Sequence, residues 1–351
     1  MYVTVGNPPS VHSTHRKGYV VNIKTIILAA AGVALVGAGI AAPSMADPTT
    51  TGRVLNGMGS DTTQFVMNGF SKTTNGANVA SWDASGSATV DTGNTGCTSV
   101  SRANGSGAGR TALINNSPAG CLQFARSSSF SANAALTYYP FSIDGLTFAV
   151  TQNSSVPRTL TKAELISIYR CETDYVPVLP QTGSGSRADW LTYLFGSSTF
   201  PPSGVTTSCY LGGGTDNTVL PQEHNGIQLT DNQVVGYSVA QWVSQENGSV
   251  TDVRGRTVLG LLDDKSPLML NPGGANVRTV YNVVRRTDGD AIAAAVVAGN
   301  DNDLNPVQIA LKAAFHGSNS FLCSDTATII KYGFAPVPAG ATYECGVQRT
   351  S

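Results

Sequence analysis

VPVLPQTGSGSRADWLTYLF, residues Val176–Phe195, passes from β-branched apolar residues through a Gly/Ser turn into helical spacing. Val176 to Leu179 reads as a strand that ends at Pro180. Gly183-Ser184-Gly185-Ser186 turns the chain, and Arg187 to Phe195 reads as a helix with Trp190, Leu191, Leu194 and Phe195 on one face. Strand, turn and helix start in that order aim backbone N–H groups and hydroxyls at one point. The positive end of the helix dipole stands behind them, which suits an oxyanion. The plainer alternative is that Ser186 caps the helix and the glycines only turn the chain.

The pattern recurs twice. Leu55-Asn56 leads into Gly57-Met58-Gly59-Ser60-Asp61-Thr62-Thr63 and then an apolar helical run with Phe65, Val66, Met67 and Phe70. Asn104-Gly105-Ser106-Gly107-Ala108-Gly109 leads into Arg110 to Ile114. Three such turns can converge on one small anion without a buried lysine.

Residues 1–46 read as an N-terminal extension and a secretory signal. Lys24 precedes an apolar run from Ile26 to Ile40, and Ser44-Met45-Ala46 offers small residues before a cut near Ala46. The polar stretch from Met1 to Tyr19 is long for a signal. Initiation at Val20 or Val21 gives a peptide of ordinary length, about 26 residues. The apolar run is short for a membrane span. No cysteine stands at the cut for a lipid anchor, so the mature chain is expected to be free outside the membrane.

About 300 residues remain, enough for two lobes of ordinary domain size. Charged residues make up 12% of the chain, about half the usual share, and the net charge is −1. That balance excludes a nucleic-acid partner, which needs a basic face. Six cysteines after an export signal point to disulfides, with fifteen pairings open. Neighbour pairing gives Cys97–Cys121, Cys171–Cys209 and Cys323–Cys345. A metal site is the weaker reading, since the four histidines are scattered and no Cys-x-x-Cys occurs. No metal or cofactor is expected.

Along the chain, strands and helices alternate. Asn78–Trp82, Cys121–Arg126, Tyr138–Phe141 and Leu146–Thr151 read as strands, the last two parted by Ser142-Ile143-Asp144-Gly145. Thr161 to Tyr169 is a helix with the capping box Thr161-x-x-Glu164. A helix is expected near Glu223 to Leu229, a strand at Val234–Ser238 and another at Thr279–Val284. Helices are expected at Pro306–Phe315 and Ser324–Tyr332. Such alternation predicts α/β with a largely parallel sheet.

These residues resemble the phosphate-binding (PstS-like) substrate-binding proteins of ABC uptake systems, and especially their secreted actinobacterial relatives. The carriers are Gly57–Gln64, Asn104–Gly109, Phe124-Ala125-Arg126-Ser127-Ser128, Gly183–Arg187, Val235-Gly236-Tyr237 and Lys331–Pro336, taken in order and spacing. The resemblance covers nearly all of the mature chain. It implies a type II periplasmic-binding-protein-like fold, two α/β lobes joined by two crossing strands and closing on an oxyanion. One lobe is then 47–141 with 238–351, and the other 142–237.

Carried over by position, Asp61, Thr62, Ser106, Ser128, Ser184, Gly185, Ser186 and Arg187 form the ligand set. Two departures stand out. The family's phosphate binders place an arginine where Pro180 stands, and an aspartate that takes the proton of hydrogen phosphate where Ser128 stands. Arg126 and Arg187 are the cations that can restore charge. Asp61 either caps the helix after it or replaces the lost aspartate. Asp144 and Tyr237 read as hinge braces, His224 and His316 as surface residues, and Trp82, Trp190 and Trp242 as core.

The function implied is a secreted, monomeric, non-enzymatic protein that binds a small oxyanion, phosphate first, with an ABC permease as candidate partner. A binding or adhesion module that keeps the fold without the anion is the alternative. A secreted hydrolase is a third class, and no Gly-x-Ser-x-Gly elbow supports it.

Overall fold

The computed structural model describes residues 47–48, 51–115, 120–215, 221–271, 274 and 276–350, so the extension and signal lie outside the described residues. In chain order come β1 (Leu55–Gly59), α1 (Gln64–Phe70), β2 (Val79–Ser81), the small ladder β3 (Thr89–Val90) with β4 (Val100–Ser101), α2 (Ser106–Ile114) and β5 (Phe124–Ser127). The next are β6 (Leu136–Thr151), β7 (Thr159–Leu160), α3 (Lys162–Tyr169), β8 (Val176–Val178) and α4 (Gly185–Phe195). A long excursion leads to β9 (Gln233–Ser238), α5 (Val239–Glu246), β10 (Thr257–Leu259) and β11 (Leu261–Leu262). The chain ends in β12 (Val277–Arg285), α6 (Arg286–Ala298), α7 (Pro306–Phe315), α8 (Phe321–Ser324), α9 (Thr326–Lys331) and β13 (Ala335–Pro336).

Nine strands form one sheet in the order β2-β1-β5-β12-β6-β9-β8, with β10 and β13 also pairing to β6. The sheet is mixed, which corrects the largely parallel expectation. β1–β2, β1–β5 and β8–β9 are parallel, while β12 runs antiparallel to β5 and β6, and β6 antiparallel to β9. Alternation of helix and strand along a sequence does not fix strand direction once long excursions replace the crossover helices.

β6 organises the molecule. All sixteen of its residues are buried, as befits a central strand covered on both faces. It is one strand and not the two expected. Ser142 to Gly145 do not break it, because they pair with Val277–Val280 of β12. The irregularity falls instead at Phe141, the extra residue between the Val280–Ser142 and Tyr281–Pro140 pairs. A bulge there is how a central strand accommodates Pro140.

The first half of β6 lies in two cores, one on each face of the sheet. Tyr139 and Phe141 pack with Phe65, Phe70, Phe124 and Phe315, while Leu136 and Tyr138 pack with Met58, Trp82 and Tyr281. Its second half lies in the cores of another lobe, with Phe148 beside Trp190 and Val234, and Ala149 beside Val235 and Tyr237. β6, and β9 running into α5, thus carry the chain between two α/β lobes, the architecture of a type II periplasmic-binding-protein-like fold. Thr257–Leu262 returns to the second lobe, where β10 pairs with β6 and Leu262 packs beside Phe148.

Local chemistry explains most elements. Thr161 caps α3 in a full capping box with Glu164, and Asn305 does the same for α7 with Gln308 and Pro306 in the first turn. α4 begins at Gly185, two residues earlier than expected, because Ser184 and not Ser186 is its N-cap, accepting the Arg187 N–H at 2.9 Å. The helix expected over Ser324–Tyr332 is present as α9, which starts two residues later because the Asp325 carboxylate caps it, and the short α8 precedes it. No helix forms at Glu223–Leu229. Two separate turns stand there, closed by Asn225 N–H to Gln222 O and Leu229 N–H to Gly226 O. Gly236 is needed where it is, since a Cβ there meets the Trp190 ring at 2.6 Å.

The six cysteines pair as Cys97–Cys121, Cys171–Cys209 and Cys323–Cys345. Among the described residues no helix is long and apolar enough to cross a membrane.

Candidate functional site

The turn after β1, the start of α2 and the end of β5 in the first lobe face the start of α4 in the second. Gly107 N–H donates to Gly183 O at 3.2 Å, so the lobes are in backbone contact. A Cβ on Gly185 lies 2.3 Å from both Ser106 Oγ and Ser128 Oγ, so only glycine lets α4 seat against those hydroxyls. Ser106 Oγ accepts the Ser128 N–H at 3.0 Å and lies 3.2 Å from Ser128 Oγ. Thr62 Oγ1 is 3.0 Å from Ser186 Oγ across the cleft.

At the centre is Glu223, 1% exposed. Its carboxylate accepts the Thr62 N–H at 3.2 Å, the Thr62 hydroxyl and the Ser186 N–H at 3.3 Å, with a further side-chain bond to Ser184. Burial, and then the charge of Asp61, push the Glu223 carboxyl up to about 8. Arg278 enters from β12. Its guanidinium donates to Ser186 Oγ at 2.6 Å and to Asp144 Oδ2 at 2.8 and 3.1 Å, and pairs with Asp189 at 3.0 Å. Burial alone lowers such a group, but Asp144, Asp189 and Glu223 together hold Arg278 above its ordinary value. Burial pushes Asp189 up to about 6 in spite of that guanidinium.

The expected ligand set is therefore brought to one boundary, with differences in what its members touch. Thr62, Ser184 and Ser186 bond the Glu223 carboxylate, and Ser106, Ser128 and Gly185 pack beside them. Asp61 does not cap α1, whose N-cap Thr63 has no side-chain cap bond. The Asp61 carboxylate accepts the Glu223 N–H at 3.0 Å and lies 3.3 Å from His224 Nδ1. Burial raises an acid, yet these His224 and Glu223 contacts outweigh it and hold Asp61 below the usual carboxylate range. His224 is consequently not a surface residue, because it is packed against Asp61 and edge-on to Phe65.

The two arginines available to sequence reasoning point elsewhere. Arg187 donates to Pro180 O at 3.1 Å and Gly214 O at 2.6 Å and lies over the Phe200 ring, bracing the excursion. Arg126, fully buried, holds Ser60 O, Ser81 Oγ and Trp82 O behind β1, and burial pulls it down to about 10. Arg278 and Glu223 were not in the expected set. Arg278 stands one residue before the expected strand Thr279–Val284 and falls inside the observed β12. Glu223, in a polar Pro/Gly-rich stretch, gave no signal. Asp144 braces the crossing, accepting Ser238 Oγ at 2.8 Å and the Ala240 N–H at 2.9 Å.

The sequence matches no protein-family model and no curated protein. In structure the chain is similar to an ABC-type phosphate transport receptor from Vibrio cholerae, with 17% identity over 81% of this chain and 100% of that one, at a TM-score of 0.44. It is also similar to a phosphate-binding protein from Stenotrophomonas maltophilia, with 14% identity over 82% of this chain and 91% of that one, TM-score 0.47. A human phosphate binding apolipoprotein gives 12% identity over 81% of this chain and 91% of that one, TM-score 0.46.

Proposed function

We propose that this chain is a secreted, monomeric, non-enzymatic solute-binding protein that holds a small oxyanion, phosphate first, between its lobes. The observation that carries the reading is the seating of a carboxyl group in the cleft. Thr62 from one lobe and Ser184 and Ser186 from the other surround one carboxyl group with N–H groups and hydroxyls, the donor set a small oxyanion needs. Arg278, behind Ser186, supplies positive charge where Pro180 cannot. The partners of these hydroxyls are each other, the carboxylate, the Arg187 N–H and Arg278, with no imidazole base among them, which favours binding over hydrolysis. Three disulfides fit an extracellular compartment. The lobes are read as 47–141 with 238–256 and 263–351, and 142–237 with 257–262. An ABC permease is the partner such a role implies.

A second reading is an extracellular binding or adhesion module that keeps the fold without phosphate. It is favoured by Arg187 turning away and by a cleft already holding a carboxylate. Calorimetry with phosphate and with sulfate tests the first reading, which predicts saturable heat with phosphate. No heat from either anion, on protein freed of its Glu223 carboxylate as below, selects the second.

A further inference from the structure

We infer that Glu223 is the cleft's own ligand: its carboxyl group sits where a free oxyanion would, fastens the two lobes together, and must leave before phosphate enters. The inference rests on the oxyanion reading of the cleft and names what regulates it.

The geometry is that of a bound ligand and not of an ordinary surface glutamate. A carboxyl group 1% exposed costs several kcal/mol to bury in its charged form, and here burial and the Asp61 charge keep the proton on it below about pH 8. Its donors come from both lobes, two backbone N–H groups and two hydroxyls, a set that serves any small oxyanion. The segment is held by the first lobe, where Gln245 Nε2 donates to His224 O at 2.9 Å and Gly226 N–H to Val253 O at 2.9 Å, and by the second lobe, where Leu229 packs with Val235 and Tyr237 and Gln181 N–H holds Pro221 O at 3.1 Å. The bonds of Glu223 to Thr62 and Asp61 of the first lobe and to Ser186 of the second therefore tie the lobes together. Asp61 anchors the loop through Oδ2, while its buried Oδ1 has no hydrogen-bond partner among the described residues. While Glu223 is seated, the Thr62 and Ser186 N–H groups are both taken. An incoming anion competes with a tethered carboxyl group, and its apparent affinity falls by the fraction of molecules whose seat is vacant.

The test compares native protein with Glu223→Ala by small-angle scattering and by calorimetry with sodium phosphate, each with and without acetate. Native protein is expected to scatter as the closed form with or without phosphate. The alanine variant is expected to open, to close again on acetate or phosphate, and to bind phosphate at least about tenfold more tightly than native. A variant as compact as native without any anion, or one that binds no more tightly, overturns the inference. Glu223→Gln keeps the shape but sets an amide against N–H donors, and gives the same comparison if the alanine variant does not fold. A variant that opens and closes on acetate while ignoring phosphate and sulfate keeps Glu223 as the internal ligand and removes the phosphate reading.

Discussion

Replacing Arg278 with methionine keeps most of the side-chain volume and removes the one guanidinium that meets Asp144, Asp189 and Ser186 together. The Arg278 side chain is 8% exposed and that of Asp144 0%, so their pair is screened little by water. Asp189 keeps 30% of its side-chain exposure, and its share is set aside as largely screened. Removing one partner of a buried pair costs about 3–5 kcal/mol, because the other charge stays buried. Asp144 retains Ser238 Oγ and the Ala240 N–H, which argues for the lower end. At about 2 °C per kcal/mol for a chain of this size, the melting temperature falls by about 6–10 °C. Asp144→Asn in the same background should recover part of that loss, since the uncompensated charge goes with it. The assay is thermal unfolding of native, both single variants and the double variant at pH 7, with phosphate calorimetry in parallel. Phosphate affinity should fall about ten- to a hundredfold with the charge. A single variant melting within about 2 °C of native, with no coupling to Asp144, would refute the account of Arg278 as the cation that holds this site.

Gly185→Ala should hold the lobes apart, since its Cβ falls 2.3 Å from Ser106 Oγ and Ser128 Oγ; scattering should show a larger radius of gyration, and an unchanged radius counts against the seating of α4 described here. Replacing both Cys171 and Cys209 by serine removes a link of sequence separation 38 and should cost about 4 kcal/mol by chain entropy, read from denaturant unfolding. Stability should fall as pH rises from about 5 to 8. Glu223 at about 8 holds its proton more tightly folded than unfolded, so its contribution is full below about pH 4 and is lost as pH rises through that value. Asp61, His224 and Arg278 surround Glu223, and Glu223→Gln should flatten the upper half of the melting-temperature profile; an unchanged slope means that Glu223 does not titrate there.

What the sequence determined was whatever depends on near neighbours. The capping box at Thr161 and Glu164, the helix opened by Pro306 and the strand-turn-helix order of Val176–Phe195 each need only residues a few positions apart, and the cysteines pair with their nearest neighbours in sequence, 22 to 38 positions away. The three Gly/Ser/Thr turns were legible for the same reason, and so Thr62, Ser106, Ser184 and Ser186 could be named as one cluster. Tertiary structure alone decided which charges join them. Arg278 reaches Ser186 across 92 positions because β12 pairs with Gly145 to Leu136 of β6, a register no local pattern encodes. Glu223 reaches Thr62 across 161 positions because an irregular excursion folds back over the cleft. Arg126 and Arg187 stood nearer the turns in sequence and were turned away by the carbonyls that needed them. The hydroxyls and amides of the site are local products of helix starts, whereas its charges are placed by strand register and by the path of one loop.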